Sequence, residues 1–204
     1  MSWAEAAATS LQNEHVLLRP VCPQDREAWH DIAMNPEIWR YFVMRVETDA
    51  DFDAYFDLGL ADQQAGRRIV YHITDKRTGR AAGSMSFCNM AEADGRLEIG
   101  WSWLGREFQG QGVNRWSKFL LLSHAFEELK AERVEFKTDV LNTQARHGLS
   151  NIGAREEGVL RSFNPMPDGR RRDAVYYSVL RGEWPFVREQ LETRPKVTWA
   201  EAGP

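Results

Sequence analysis

Apolar positions in the first third of the chain recur at helical spacing after one short strand-like run. Residues 15–19 (His-Val-Leu-Leu-Arg), closed by Pro20, predict a strand. Pro23-Gln24-Asp25 then opens a helix carrying Trp29, Ile32 and Ala33 on one stripe, and Asn35-Pro36 breaks it. A short second helix turns Ile38, Trp39 and Phe42 inward. A third starts near Thr48-Asp49, with Phe52, Tyr55, Phe56 and Leu60 as its buried stripe.

The period then changes to two. Ile69, Tyr71 and Ile73 alternate with Val70, His72 and Thr74; Thr78-Gly79 is a turn; residues 82–87 form the next strand; Asp94-Gly95 signals a second hairpin. Residues 97–103 complete an antiparallel meander. On that strand strict alternation puts Leu97, Ile99, Trp101 and Trp103 on one face and Glu98, Gly100 and Ser102 on the other. A long amphipathic helix follows over about 113–130, with Trp116, Phe119, Leu120, Phe126 and Leu129 facing in. Val134, Phe136 and Thr138 mark a strand, Asn142 starts a helix that Gly153 ends, and strands near 155–164 and 173–181 flank a Pro167-Asp168-Gly169 turn. A last helix covers about 183–191. The sum is an α/β (α+β) domain over 13–192: a single mixed, mostly antiparallel sheet of about seven strands, with helices on both faces. Residues 1–12 and 193–204 read as flexible arms.

Composition narrows the function classes. The chain has 204 residues, a formal net charge of −4, 43% hydrophobic and 27% charged residues, which suits one domain with an ordinary core. Cys22 and Cys88 do not make a disulfide framework and read as reduced fillers. The five histidines show no metal-ligand spacing. No apolar run reaches the ~20 residues of a membrane span. The N-terminus lacks a signal-peptide pattern, so a cytoplasmic location is expected. The acidic balance does not advertise a nucleic-acid surface.

The chemistry concentrates in residues 104–118, Leu-Gly-Arg-Glu-Phe-Gln-Gly-Gln-Gly-Val-Asn-Arg-Trp-Ser-Lys. A strand ends, a glycine-bearing turn follows and a long helix begins. That arrangement gathers unpaired N–H groups at the positive end of a helix dipole, where an anion is favoured. Gly110 and Gly112 let the backbone approach a phosphate closely. The same glycines also suit a plain strand-to-helix turn. The Walker loop and the dinucleotide fingerprint are both absent.

Gln109-Gly110-Gln111-Gly112-Val113-Asn114 resembles the Gln/Arg-x-x-Gly-x-Gly/Ala motif of the GNAT acetyltransferases. The strand Leu97-Glu98-Ile99-Gly100-Trp101, the helix from Asn142 to Ile152-Gly153-Ala154 and the closing Tyr177-Ser178-Val179-Leu180 strand are similar to RimJ/RimL-type N-acetyltransferases in the same order. The resemblance implies the GNAT fold, acetyl-CoA as co-substrate and no metal. It implies acetyl transfer to a primary amine, either a protein N-terminal α-amine or a small-molecule amine, by direct attack in a ternary complex. It places the pyrophosphate on Gln109, Gly110, Gln111, Gly112, Val113 and Asn114, the thioester carbonyl near the main chain of Trp103 and Leu104, and the pantetheine arm beside Asn142. Homodimers are common in such families.

The chain departs from the pattern at Asn114, at Arg115-Trp116-Ser117 in place of Thr-Glu-Ala, and at Gln144 and Ala145, where arginine and serine are frequent. These departures motivate an alternative, a catalytically impaired acyl-CoA-binding module. Glu98 is the candidate general base, with Ser102 beside it as the second catalytic candidate. Of Tyr176 and Tyr177, alternation turns one into the core and leaves the other able to face the substrate groove, and either reads as a core residue first. Arg170-Arg171-Arg172 after the Asp168-Gly169 turn is either a solvated tip or a contact for an acidic substrate.

Overall fold

Ser2 opens the first helix with a reciprocal capping box, its hydroxyl accepting from the Glu5 N–H while the Glu5 carboxylate accepts from the Ser2 N–H. The computed structural model describes residues 2–194. Helix α1 (Trp3–Ala7) buries Trp3 and Ala7, and strand β1 (Leu11–Gln12) follows. Residues 2–12 are therefore packed, with the Tyr71 hydroxyl donating to the Ala7 carbonyl, where the sequence pattern suggests a loose arm. Two buried anchors are too few to register as a period. The expected tail beyond residue 194 lies outside the described residues.

Strand β2 (Val16–Pro20) leads through a 3-10 turn (Pro23–Asp25) into α2 (Arg26–Ala33). A second 3-10 turn (Pro36–Trp39), not a full helix, precedes α3 (Asp49–Gln64), which Thr48 caps in a box with Asp51. Then come β3 (Ile69–Asp75), β4 (Arg80–Ala91), β5 (Arg96–Leu104), α4 (Val113–Ser123) continued by a π-helical stretch (His124–Glu128), β6 (Arg133–Asp139), α5 (Thr143–Asn151), β7 (Arg155–Pro165), β8 (Arg171–Leu180) and α6 (Trp184–Thr193). No helix among the described residues is long and apolar enough to cross a membrane.

The strands form one eight-stranded sheet in the order β1-β2-β3-β4-β5-β6-β8-β7. Every neighbouring pair is antiparallel except β5 and β6. The strand beyond the expected seven is the two-residue β1, too short for any alternation to reveal. Hydrophobic clusters lie on both sheet faces. Ile69, Tyr71 and Ile73 of β3 enter one, with Leu97, Phe136 and Tyr177 and the inner sides of α4 and α6. Val70 enters the other, with Trp29, Phe52, Tyr55, Phe56 and Trp103 under α2 and α3.

Two local departures from regular periodicity matter. The buried side of α4 runs through Val113, Ser117, Lys118, Leu121 and Leu122, while Trp116, Phe119 and Leu120 are only partly buried. The polar Ser117 and Lys118 disguise the true stripe. On β5, Ser84 of β4 faces Trp103 and Ser86 faces Gly100, so β5 carries an extra residue at a bulge where Trp101 takes a left-handed φ of 52°. The faces therefore exchange. Leu97 and Ile99 point into the α4-side core, but Trp103 points into the core under α2 and α3 and Leu104 back to the first. The expected sharing of one face by Leu97, Ile99, Trp101 and Trp103, and of the other by Glu98, Gly100 and Ser102, is corrected accordingly. After the bulge, alternation turns Ser102 away from the Glu98 face.

A buried polar network ties α2 to the sheet. Arg19 Nη1 donates to Asp25 Oδ2 at 2.8 Å, and the Cys22 N–H donates to the same oxygen at 2.9 Å. Trp29 Nε1 donates to His72 Nδ1 at 3.0 Å, which engages that nitrogen's lone pair and favours the neutral ring. Burial alone would raise the Asp25 carboxyl, but the Arg19 and Cys22 hydrogen bonds hold it below the ordinary value. Burial pulls His72 down. Both groups are thus depressed in the folded state. Their stabilisation is complete above the unfolded values and is lost as pH falls through the folded ones. Asp25→Asn should cost about 1–3 kcal/mol in urea unfolding at pH 7. The gap from wild type should narrow below pH ~4, where the carboxyl protonates in the unfolded chain.

Candidate active site

Strands β5 and β6 are bonded only through Arg96–Arg133, Leu97–Val134 and Glu98–Glu135; beyond that point they part, although both continue. β5 stays on β4 and β6 stays on β8, so a cleft opens inside the sheet. The Gly105 N–H donates to the Ala82 carbonyl of the β4 side, and alternation then turns the Leu104 main chain toward the cleft. Gln109 Nε2 donates to the Leu104 carbonyl at 3.1 Å, and Gln109 Oε1 accepts from Gln144 Nε2 of α5 at 2.9 Å. Gln109 thus bridges the two arms at the cleft mouth. The Trp103 main chain, by the same alternation, faces β4, so of the two expected carbonyl-polarising positions only Leu104 faces the cleft. The Trp103 indole donates to the buried Tyr55 hydroxyl at 2.7 Å.

The loop leaves the first turn of α4 without a side-chain cap. Gly112 takes the N-cap position at φ 84°, and Gly110 lies at φ 72° with open space where a Cβ would stand. Gln111 is exposed and Val113 buried. The helix's first N–H groups are therefore left uncapped by side chains, the condition for an anion. Asn114 lies between α4 and α5: its Oδ1 accepts from Lys118 Nζ at 2.5 Å, and its Nδ2 is the nearest atom to the space beside Gly148. Burial brings the Lys118 amine down to about 8. Asn142 caps α5, its Oδ1 accepting from the Ala145 N–H at 3.0 Å. The non-standard Arg115 and Trp116 are engaged by neighbouring elements. Arg115 donates to the Leu191 carbonyl of α6, and Trp116 stacks on His15 with centroids 4.3 Å apart.

Helices α2 and α3 pack over β4 and β3 on one face of the sheet. The half of that face over β5, β6 and β8 carries a polar groove. Glu98 is buried, with Oε2 accepting from Asn89 Nδ2 at 2.8 Å and lying 3.4 Å from Lys137 Nζ. Asn89 sits beside a β4 irregularity at φ 47°, a conformation asparagine tolerates. A Cβ on Gly100 would stand 2.8 Å from Glu98 Oε1 and 3.1 Å from Cys88 Sγ, so glycine there makes room for the carboxylate. Burial keeps the Cys88 thiol protonated by raising its pKa. Lys137 also lies over the rings of Phe163 and Tyr176, 5.1 and 5.6 Å from their centroids. Tyr176 faces this groove, whereas Tyr177 enters the opposite core and bonds Glu156 and Arg146.

The structure thus groups Leu104, Gln109, Gly110, Gly112, Asn114 and Asn142 around the cleft and sets Glu98 on the groove behind it. Ser102 is separated from Glu98 by the bulge, its hydroxyl 3.4 Å from the Gly100 carbonyl. Asn89, Lys137 and Gln144 enter the site as new participants. Alternation on β6 already set Lys137 opposite Val134 and Phe136; Asn89 had no sequence signal, because its aim depends on an irregular strand.

The Acetyltransferase (GNAT) domain family model matches residues 15–155. The Bacillus subtilis (strain 168) protein YdaF, named as a ribosomal N-acetyltransferase, is 29% identical over 178 residues, covering 84% of this chain and 94% of YdaF. A crystal structure of an acetyltransferase from T. thermophilus is 34% identical with a TM-score of 0.81, covering 90% of this chain and 95% of that one. The RimJ of Mycobacterium smegmatis, solved in complex with CoA-disulfide, shares the fold at 23% identity and a TM-score of 0.79, covering 92% and 95%. With the parted strands, the glycine loop and the uncapped helix in the family's order, this chain belongs to the GNAT acetyltransferases.

Proposed function

We propose that this acyltransferase moves the acetyl group of acetyl-CoA onto a primary amine by direct attack in a ternary complex. The observation that carries the reading is the parting of β5 and β6 between an uncapped helix start and a carboxylate-bearing groove. The CoA-disulfide held by the M. smegmatis relative supports the cofactor half. The ribosomal acceptor in the name of YdaF supports a protein N-terminal α-amine, with a small-molecule amine as the other acceptor class.

The loop N–H groups and the α4 dipole hold the pyrophosphate, with Gly110 and Gly112 leaving room for it. The amine must first be neutral. An α-amine with pKa ~8 is about one-tenth neutral at pH 7, a deficit near 1.4 kcal/mol, whereas a lysine at ~10.4 faces roughly 4.6 kcal/mol. Glu98 orients the incoming ammonium and takes its proton. The nitrogen lone pair then forms the N–C bond to the thioester carbonyl carbon as the C–S bond breaks. The sulfur leaves with the electron pair, and the second amine proton balances it as thiol or passes to solvent. The Leu104 main-chain N–H, turned to the cleft, polarises the carbonyl oxygen. A thiolate of pKa ~8.5 leaves without a strong acid, so Ala145 in place of serine is compatible with turnover. Arg115 and Trp116 are engaged with α6 and His15.

Two measurements test this. Gly112→Ala, which puts a side chain at a left-handed position beside Trp116, should raise the acetyl-CoA Kd about five- to thirtyfold by calorimetry, given a strain of roughly 1–2 kcal/mol. Glu98→Gln should lower kcat/KM about a hundredfold in a thiol-release assay, most on the acidic limb of the pH profile. An unchanged profile removes Glu98 from the proton transfer.

A further inference from the structure

Among the described residues, the cations around the acceptor groove mostly have carboxylates. Lys137 pairs with Glu98 at 3.4 Å, Arg170 bonds Asp139 and Asp168, and Arg68 lies 3.2 Å from Asp62. Arg172 is different. It is 7% exposed, has no ion pair among the described residues, and its Nε has no hydrogen-bond partner. It lies on the β8 face shared with Tyr176, two residues from Ala174, which pairs with Asp139. Asp139 and Glu98 are close enough for their fields to reach it. Neither makes a hydrogen bond or an ion pair with it among the described residues. Asp139 already accepts from Arg170 and from the Leu141 N–H, and Glu98 from Asn89 and Lys137. Burial pulls the Arg172 guanidinium below its ordinary value. A buried unpaired charge is costly to hold, and buried donors without partners are rare. Arg68 repeats the theme at the other wall of the groove: it is 3% exposed, its Nε lacks a partner, and its guanidinium lies 4.3 Å over the Trp101 ring.

We propose that the acceptor is an anionic amine whose carboxylate binds the Arg172 guanidinium while its ammonium meets Glu98. This rests on the acetyl-transfer reading above and names its substrate class. The planar guanidinium fork suits a carboxylate and supplies donors that the fold leaves unused. An amine without a nearby negative charge leaves Arg172 uncompensated in the complex, and a polycationic acceptor adds repulsion from Arg172 and Arg68. A carboxylate can reach the groove from a free amino acid or from an acidic residue just inside a peptide N-terminus, and the test separates the two.

The assay compares thiol release, with kcat/KM referred to the neutral amine, for L-alanine against L-alaninamide, and for the amidated peptide Ala-Glu-Ala against Ala-Gln-Ala. In one of the two pairs the carboxylate member should be at least tenfold better in kcat/KM. Arg172→Gln should shrink that ratio to about twofold, through KM rather than kcat, and Arg172→Lys should restore part of it. The acetyl-CoA Kd, measured by calorimetry on each variant, separates loss of folding from loss of the contact. No preference in either pair, or an equal slowing of both members by Arg172→Gln, overturns the inference. Thiol release with none of the four would instead strike the acetyl-transfer reading. The inference is then decided by binding of the N-acetylated members, followed by quenching of tryptophan fluorescence. Tighter binding of the carboxylate product that Arg172→Gln abolishes supports it, and equal binding overturns it.

Discussion

The structure depends on two neighbouring parallel strands letting go of each other. Above Glu98 and Glu135 the β5–β6 ladder supplies hydrogen bonds; below them each strand keeps only its outer partner. The freed main-chain groups of Leu104 face a cleft instead of a strand. Unpaired backbone groups inside a fold are costly unless something satisfies them. Here the Gln109 side chain takes the Leu104 carbonyl and reaches Gln144 on the far arm. The cleft is thus held by polar side chains that a ligand's own amides and carbonyls can replace.

The bulge at Trp101 sets what lies on either side of that cleft. By exchanging the faces of β5, it lets Leu97 and Ile99 fill the core under α4 while Trp103 fills the core under α2 and α3. Aromatic packing of Trp29, Trp39, Tyr55 and Trp103 makes this second core a rigid wall. Because α2 and α3 cover only part of the face, the rest carries Glu98, Lys137, Tyr176 and Arg172. The division gives the glycine loop and the polar face around Glu98 to separate structural units that meet at the parted strands.

The deviations from the family motif find their explanation in packing. Arg115 and Trp116 sit on the outer side of α4, where α6 and His15 engage them. Asn114 and Lys118, one turn apart, point toward α5. A helix start needs only its main chain to hold an anion, so the side chains of its first turn are free to serve the fold.

The order of elements, the mixed sheet, the capped start of α3 and the glycine loop were legible in the sequence, because each rests on local periodicity or on residues with special backbone freedom. The α4 stripe was misplaced, because a lysine and a serine occupy its centre and hydrophobicity alone cannot reveal a polar group buried by its neighbours. Ser102 was set beside Glu98 on strict alternation, which a single inserted residue reverses. Asn89, Lys137 and Arg172 come from three different strands, and only the register of the sheet brings them to Glu98. The sequence by itself determined the family, the elements and the glycine loop, since those are written within a few consecutive residues. The tertiary structure alone decided which charges are paired and which are left over, because that balance depends on distances between segments far apart in the chain.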